Sequence, residues 1–231
     1  DPATHDQMWM FAWPMDVDGE NGTDLVAGSK GKNARVGWFG APENGRDLSG
    51  YKWHPITEAG WTMSIWRQDM DGDGDTDLAI SDRYGKLRGC RWLENPGKGK
   101  AQEQPWGSHM MGASDHEVMS MSLADLDGDG LQDAVVAVKD MKILFLRRLD
   151  ASGLKWETHE ISADFNAGNT RAVVVRDVNG DAKPDLVFST WNSQGKHGAL
   201  WLEYAESPFE KVWTAHPISG TEKGIKYDRI E

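Results

Sequence analysis

The nine residues Asp69–Asp77, DMDGDGDTD, set five aspartates among two glycines, a methionine and a threonine. A run this acidic repels itself and stays solvated unless something neutralises it. Yet it lies between two apolar stretches, WTMSIW (61–66) and LAI (78–80), and so belongs to foldable sequence. Its alternate residues carry side-chain oxygens, and its glycines permit the bend that lets those oxygens converge. Such a loop suits calcium, a hard cation that takes oxygen ligands, as in the first nine positions of an EF-hand.

The stretch has three relatives, DVDGENGTD (16–24), DLDGDGLQD (125–133) and DVNGDAKPD (177–185), whose starts are 53, 56 and 52 residues apart. The flanking segments recur with them. Short apolar runs precede each loop (MWMFAWPM, TMSIWRQ, VMSMSLA, RAVVVR) and follow it (DLVAGS, DLAISD, DAVVAV, DLVFST). A third run (ARVGWFGAP, CRWLENP, ILFLRRL, ALWLEYA) and a fourth (YKWHPI, PWGSHMM, KWETHEI, VWTAHPI) complete each unit. β-Branched and aromatic runs of this length, separated by Gly, Asn, Asp and Pro, read as strands, and no segment holds a helical period. Four strands per repeat is the arithmetic of a β-propeller blade, a unit that needs neighbours to bury its faces. The expected architecture is all-β, a β-propeller of four-stranded blades at about 8–58, 61–112, 117–163 and 169–219.

These residues resemble the FG-GAP/VCBS repeat proteins, whose units carry a DxDGDGxxD calcium loop between the first two strands. The resemblance spans roughly residues 8–219. It implies calcium at up to four loops, and it leaves activity open, because this repeat serves integrins, lectins and polysaccharide lyases alike. Propellers of the family mostly have seven or eight blades. GIKYDRIE (224–231) matches the first strand of a fifth repeat, so further blades are expected beyond Glu231; a closed four-bladed ring sealed by this strand is the rival arrangement. Open blade faces would invite association.

In each loop, positions 1, 3, 5 and 9 offer side-chain oxygens and position 7 its carbonyl. The second loop supplies Asp69, Asp71, Asp73, Asp75 and Asp77, and the third Asp125, Asp127, Asp129, Leu131 and Asp133. The first supplies Asp16, Asp18, Glu20, Gly22 and Asp24, with Asn21 at the bend, where asparagine tolerates positive φ. The fourth supplies Asp177, Asn179, Asp181, Lys183 and Asp185, with Ala182 at that bend. One carboxylate short and sterically poorer there, it is expected to bind weakest. Sites of the extracellular-module class hold calcium at about 10⁻⁴–10⁻³ M, which points to an extracellular or periplasmic setting.

Composition agrees. The formal net charge of −12 makes nucleic acid and anionic membranes poor partners. The single cysteine allows no intramolecular disulfide, and no apolar run reaches membrane-spanning length. Four bound calcium ions would bring the charge to about −4.

Comparison of the repeats separates architecture from specificity. His54, His109, His159 and His216 occupy one place in the fourth strands and read as packing. So do Trp38, Trp92, Phe145 and Trp201 in the third strands, and Trp53, Trp106, Trp156 and Trp213. The turns between second and third strands, expected at the end opposite the loops, hold Lys30, Lys32, Arg35, Arg83, Lys86, Arg88, Lys139, Lys142 and Lys196. Ordinary hairpin solvation accounts for such turns, and an anion-binding rim accounts for them equally. On the rim reading, Trp9, Trp61, Lys86, Arg88 and Lys226 are ligand-binding candidates.

Three functions follow. A binding propeller for glycan, neutral or anionic, or for a surface protein is preferred. A polysaccharide lyase or sugar dehydratase acting on uronate needs a base and a group that neutralises the substrate carboxylate, with His116, Tyr84, Arg171 and Arg83 as candidates. The third is a structural module of a larger secreted protein.

Overall fold

The computed structural model describes residues 4–139, 141–163 and 166–221. GIKYDRIE (224–231), with Lys226, lies outside them. Among the described residues sixteen strands form four antiparallel sheets, each ordered as a simple meander. The first holds β1 (Met8–Met15), β2 (Asp24–Lys30), β3 (Arg35–Gly40) and β4 (Lys52–Glu58). The second holds β5 (Thr62–Gln68), β6 (Asp77–Asp82), β7 (Gly89–Glu94) and β8 (Gly107–Gly112). The third holds β9 (Val118–Ala124), β10 (Asp133–Val138), β11 (Lys142–Arg148) and β12 (Trp156–Ile161). The fourth holds β13 (Asn169–Arg176), β14 (Asp185–Trp191), β15 (Ala199–Glu203) and β16 (Thr214–Pro217). These are propeller blades, one per acidic loop. The described residues contain no helix long and apolar enough to cross a membrane.

The chain divides into two compact units, Asp1–Asp115 and His116–Glu231, each with two blades and its own core. In the first, Val26, Val36 and Trp38 of one blade meet Ile65, Leu78 and Leu93 of the next. In the second, Val135 and Phe145 meet Val173, Leu186 and Phe188. The second strands lie inside their sheets, and β6 and β10 are buried at every residue, which is why DLAISD and DAVVAV are so apolar. The fourth strands are edges, and β4 and β12 expose Lys52, Pro55, Glu58, Glu157, Thr158 and Glu160.

Polar side chains tie each pair of blades. Arg91 of β7, almost wholly buried, donates to Thr57 Oγ1 at 2.9 Å and to the Glu58 carbonyl at 2.7 Å. Burial pushes its pKa down, although the Asp82 carboxylate opposes the shift. In the second unit Ser122 Oγ donates to the Val173 carbonyl at 2.8 Å, and the Val173 amide donates to Ser120 Oγ at 3.0 Å.

The repeated histidines lie on aromatic rings. Centroid separations are 4.3 Å for Trp38–His54, 4.4 Å for Trp92–His109, 5.6 Å for Phe145–His159 and 4.1 Å for Trp201–His216. Each pair is directly opposed across the third and fourth strands. Trp106, Trp156 and Trp213 each donate the indole N–H to a carbonyl of the third-to-fourth-strand connection, so these tryptophans pin the long loops. Every innermost strand also carries a one-residue bulge at Met10, Met63, Met119 or Arg171, a shared feature that the sequence repeats do not reveal.

Candidate metal centre and the opposite rim

The meander places the acidic loop and the third-to-fourth-strand connection at one end of each blade. The second-to-third-strand turn and the entry to the innermost strand lie at the other.

At the loop end one hydrogen-bond plan repeats. The first aspartate accepts the amide of position 4, from Gly19, Gly72, Gly128 or Gly180, at 2.7–2.9 Å. The side-chain oxygen at position 3 accepts the amide of position 5, from Glu20, Asp73, Asp129 or Asp181. The last aspartate accepts the amide of position 2, from Val17, Met70, Leu126 or Val178, at 2.7–3.0 Å. Its second oxygen takes an amide just past the third strand's aromatic, from Ala41, Asn95 or Arg148, each at 2.8 Å. Asp24, Asp77, Asp133 and Asp185 therefore lie at 0–1% exposure and brace the hairpin whatever else they hold. The bend at position 6 is left-handed in all four loops, with φ of 55° at Asn21, 94° at Gly74, 88° at Gly130 and 66° at Ala182. Asparagine and glycine accept this readily; alanine is strained there by about 1–2 kcal/mol.

In three loops this plan gathers carboxylates. Asp16, Asp18 and Asp24 each bring one oxygen within 4.8 Å of the others, as do Asp69, Asp71 and Asp77, and Asp125, Asp127 and Asp133. Burial, the nearest backbone donors notwithstanding, drives Asp77 up to about 7 and Asp133 to about 6, and neighbouring aspartates add to the rise. Asp24, Asp71 and Asp185 are raised for the same leading reason. Clustered, mutually repelling carboxylates, with a buried last aspartate in each cluster and no nitrogen or sulfur ligand, fit a hard divalent cation, so the three clusters could hold a metal ion. Glu20, Asp73 and Asp129 at position 5 are not part of these carboxylate triads. Asp73, Asp129 and Asp181 instead accept the amide two residues on.

Neighbouring side chains meet the loops, and the sequence reading missed them. Lys98 Nζ lies 3.1 Å from Asp16 Oδ2, and Gln102 donates to Asp18, both from the next blade's long connection. Arg147 Nε lies 2.6 Å from Asp127 Oδ2. Glu203 accepts from Asn179 Nδ2 at 3.0 Å. Aligning the ends of the third strands would have flagged Gly40, Glu94, Arg147 and Glu203 as one varying position. Lys98 and Gln102 leave no such trace, standing more than eighty residues from their partners. Between the first two loops Asp16, Arg67, Asp75, Asn95 and Lys98 line a cleft of about 450 Å³.

At the opposite end Trp61, Arg83 and Tyr84 come together. The rings of Trp61 and Tyr84 lie 5.9 Å apart, and the Arg83 guanidinium sits 5.3 Å from the first and 4.8 Å from the second. Lys30 Nζ stands 4.5 Å over Trp61. Asp82, 1% exposed, fixes the patch by accepting the amides of Gly60 at 2.8 Å and Trp61 at 2.7 Å. Gly60 is required there, since a Cβ would stand 2.3 Å from the Tyr84 carbonyl oxygen.

The other rim candidates are placed differently. Lys86 is exposed on the same turn, whereas Arg88 Nε donates to the Ser114 carbonyl at 2.8 Å. Trp9 packs at 5.1 Å on Trp53 and 5.5 Å on Phe39, within its own blade. His116 and Arg171 belong to the second unit, Arg171 at the bulge of β13. Several turn cations pair with acids on adjacent strands: Arg35 with Glu58, Lys139 with Glu117, and Lys142 with Glu160, at 3.0–3.4 Å.

The profile described as FG-GAP-like repeat matches residues 69–136 and again 125–188. No individual curated protein matches the chain in sequence. The matched segments run from one acidic loop through the next and together cover just over half of the chain, so with its four looped blades this protein belongs to the FG-GAP-like repeat family.

Proposed function

We propose that the protein is a calcium-stabilised β-propeller module that binds carbohydrate, anionic glycans above all, in an extracellular or periplasmic setting. Calcium would be held by the aspartates of the first three loops and more weakly at Asp177, Asn179, Asp181 and Asp185. When bound it supplies charge neutralisation and cross-links each hairpin. The ligand would meet the opposite rim.

The observation that carries the binding reading is the Trp61–Tyr84 patch with Lys30 and Arg83 beside it. Aromatic faces suit the apolar face of a sugar ring, and cations held beside them suit a carboxylate or sulfate. The lyase reading needs a base and a carboxylate-neutralising group at one point. Tyr84 and Arg83 adjoin, and they are the only two of its four candidates in the first unit.

Isothermal titration with neutral, uronate and sulfated polysaccharides tests the proposal. Binding to the anionic polymers is expected, weakened by salt and reduced at least about tenfold by Trp61→Ala. Absence of binding, or a Trp61→Ala protein that binds as before, overturns it. Release of unsaturated, ultraviolet-absorbing products would replace it with the lyase.

A further inference from the structure

One position at the end of the third strand varies between blades while its surroundings stay the same. Two positions beyond the histidine-stacked Trp38, Trp92, Phe145 and Trp201 stand Gly40, Glu94, Arg147 and Glu203. In two blades this side chain meets position 3 of the acidic loop. Arg147 Nε lies 2.6 Å from Asp127 Oδ2, with Nη2 3.7 Å from Asp129 Oδ2. Glu203 takes the Asn179 amide at 3.0 Å, and Glu94, whose carboxylate lies 2.7 Å from His109 Nε2, stands at the matching place on the second blade. One place on the blade thus carries nothing, an anion, a cation or an anion beside the loop.

We propose that this residue sets how strongly each loop holds a divalent cation, and that Arg147 makes the third loop a weaker site than the second. The inference rests on the calcium reading above. By motif alone the two loops are equals, each with aspartate at positions 1, 3, 5 and 9. Their surroundings reverse the charge. Beside the second loop Glu94 extends the anionic field, and a cation there gains attraction. Beside the third loop the arginine is itself the counter-ion. It occupies one oxygen of Asp127, whose side chain is only 5% exposed, and a guanidinium cannot shed its charge to make way.

Arg147 is also held in place. Its guanidinium lies 4.9 Å from the ring of Phe209, which comes from the next blade and packs on Phe145 at 5.7 Å and His159 at 5.3 Å. A cation entering the third loop must share Asp127 with this fixed charge or displace it from its ring. The first loop has a looser version of the same arrangement in Lys98, whose side chain is 61% exposed.

Calcium titration of the metal-free full chain tests this by calorimetry. Each loop is read alone, in a background where the first aspartates of the other three loops, drawn from Asp16, Asp69, Asp125 and Asp177, are replaced by asparagine. Arg147→Gln should tighten the third site several-fold and Arg147→Glu about tenfold or more, while Glu94→Gln should weaken the second several-fold. Near-ultraviolet circular dichroism confirms folding, and Glu94→Gln reads an independent loop should Arg147→Glu fail to fold. If Arg147→Gln leaves the third site unchanged or weakens it, Arg147 orients Asp127 for the metal and the inference falls alone. If the wild-type chain takes up no calcium, the calcium reading falls and this inference with it.

Discussion

The two ends of each blade follow different rules. At the loop end four copies repeat one set of backbone bonds, down to a left-handed residue at the sixth position. At the other end the equivalent residue of the second strand is Ser29, Asp82, Val138 or Thr190, and each builds a different contact. Ser29 Oγ accepts the Arg35 amide at 2.8 Å, Asp82 clamps Gly60 and Trp61, and Thr190 Oγ1 donates to the His197 carbonyl at 2.9 Å. Where backbone amides must be satisfied in every blade, sequence is constrained to repeat. Where side chains satisfy one another, it is free to diverge, and a specific surface can form.

The largest expected effects set one end against the other. Asp77 and Asp82 are both about 1% exposed, and each accepts backbone amides. Replacing either with alanine orphans buried donors and should cost roughly 2–5 kcal/mol in denaturant unfolding. The two variants should then part company. Asp77→Ala should lose part of the response to calcium and keep the Trp61 patch. Asp82→Ala should keep the full calcium response and lose glycan binding. A variant that lost both functions would mean that the two ends are not independent.

Next in size is the coupling of metal and proton at the loop end. A calcium site at one hundred times its dissociation constant adds about 2.7 kcal/mol, so chelation should lower the melting temperature clearly. Without metal the pH dependence has a definite sign. Asp77 titrates near 7 and Asp133 near 6 when folded, both above their ordinary value of 3.8, because burial disfavours the charged form. Their contribution is fully present below the unfolded value and is lost as pH rises through the folded one, so metal-free protein should melt lower at pH 8 than at pH 5. His54 opposes this weakly, since burial lowers its pKa and its protonation below about 6.5 favours unfolding. Saturating calcium, which binds the ionised carboxylates, should flatten or reverse the slope. A melting temperature that rises from pH 5 to pH 8 in chelator would contradict the account.

Much of this was legible in the sequence, for reasons particular residues make plain. The strands TMSIWRQ, DLAISD, VMSMSLA and DAVVAV fall where the repeats put them, to the residue, because they lie between loops whose spacing fixes their register. In the first three loops the aspartates at positions 1, 3 and 9 lie together, as the motif implies. What stayed hidden lies between repeats. Phe209 reaches Arg147 from the next blade, Lys98 reaches Asp16, and Arg91 reaches Thr57, and such contacts leave no local period. The acids that pair with three of the turn cations, Glu58, Glu117 and Glu160, come from other segments and could not be read from the turns themselves. Among the described turn cations, Lys30 and Arg83 are instead found over aromatic rings.

The smallest effect probes the regularity of the loop end at its weakest copy. Ala182 holds φ +66° where Gly74 and Gly130 hold the same bend without a Cβ. Left-handed alanine costs about 1–2 kcal/mol, and a glycine there returns about 0.4–1 kcal/mol of that as unfolded-chain entropy. Ala182→Gly should therefore stabilise by roughly 0.5–1 kcal/mol in metal-free denaturant unfolding, whereas Gly74→Ala should destabilise by a similar amount or more. The backbone bonds to Asp177 should survive in either case, since the Ala182 amide already reaches Asp177 Oδ2 at 3.0 Å. Calcium separates strain from charge: if the strain alone weakens the fourth loop, Ala182→Gly restores its affinity toward that of the third. If the variant is more stable and binds no better, Asn179 and its missing carboxylate are the cause, and the fourth loop is kept as a hairpin brace rather than as a metal site.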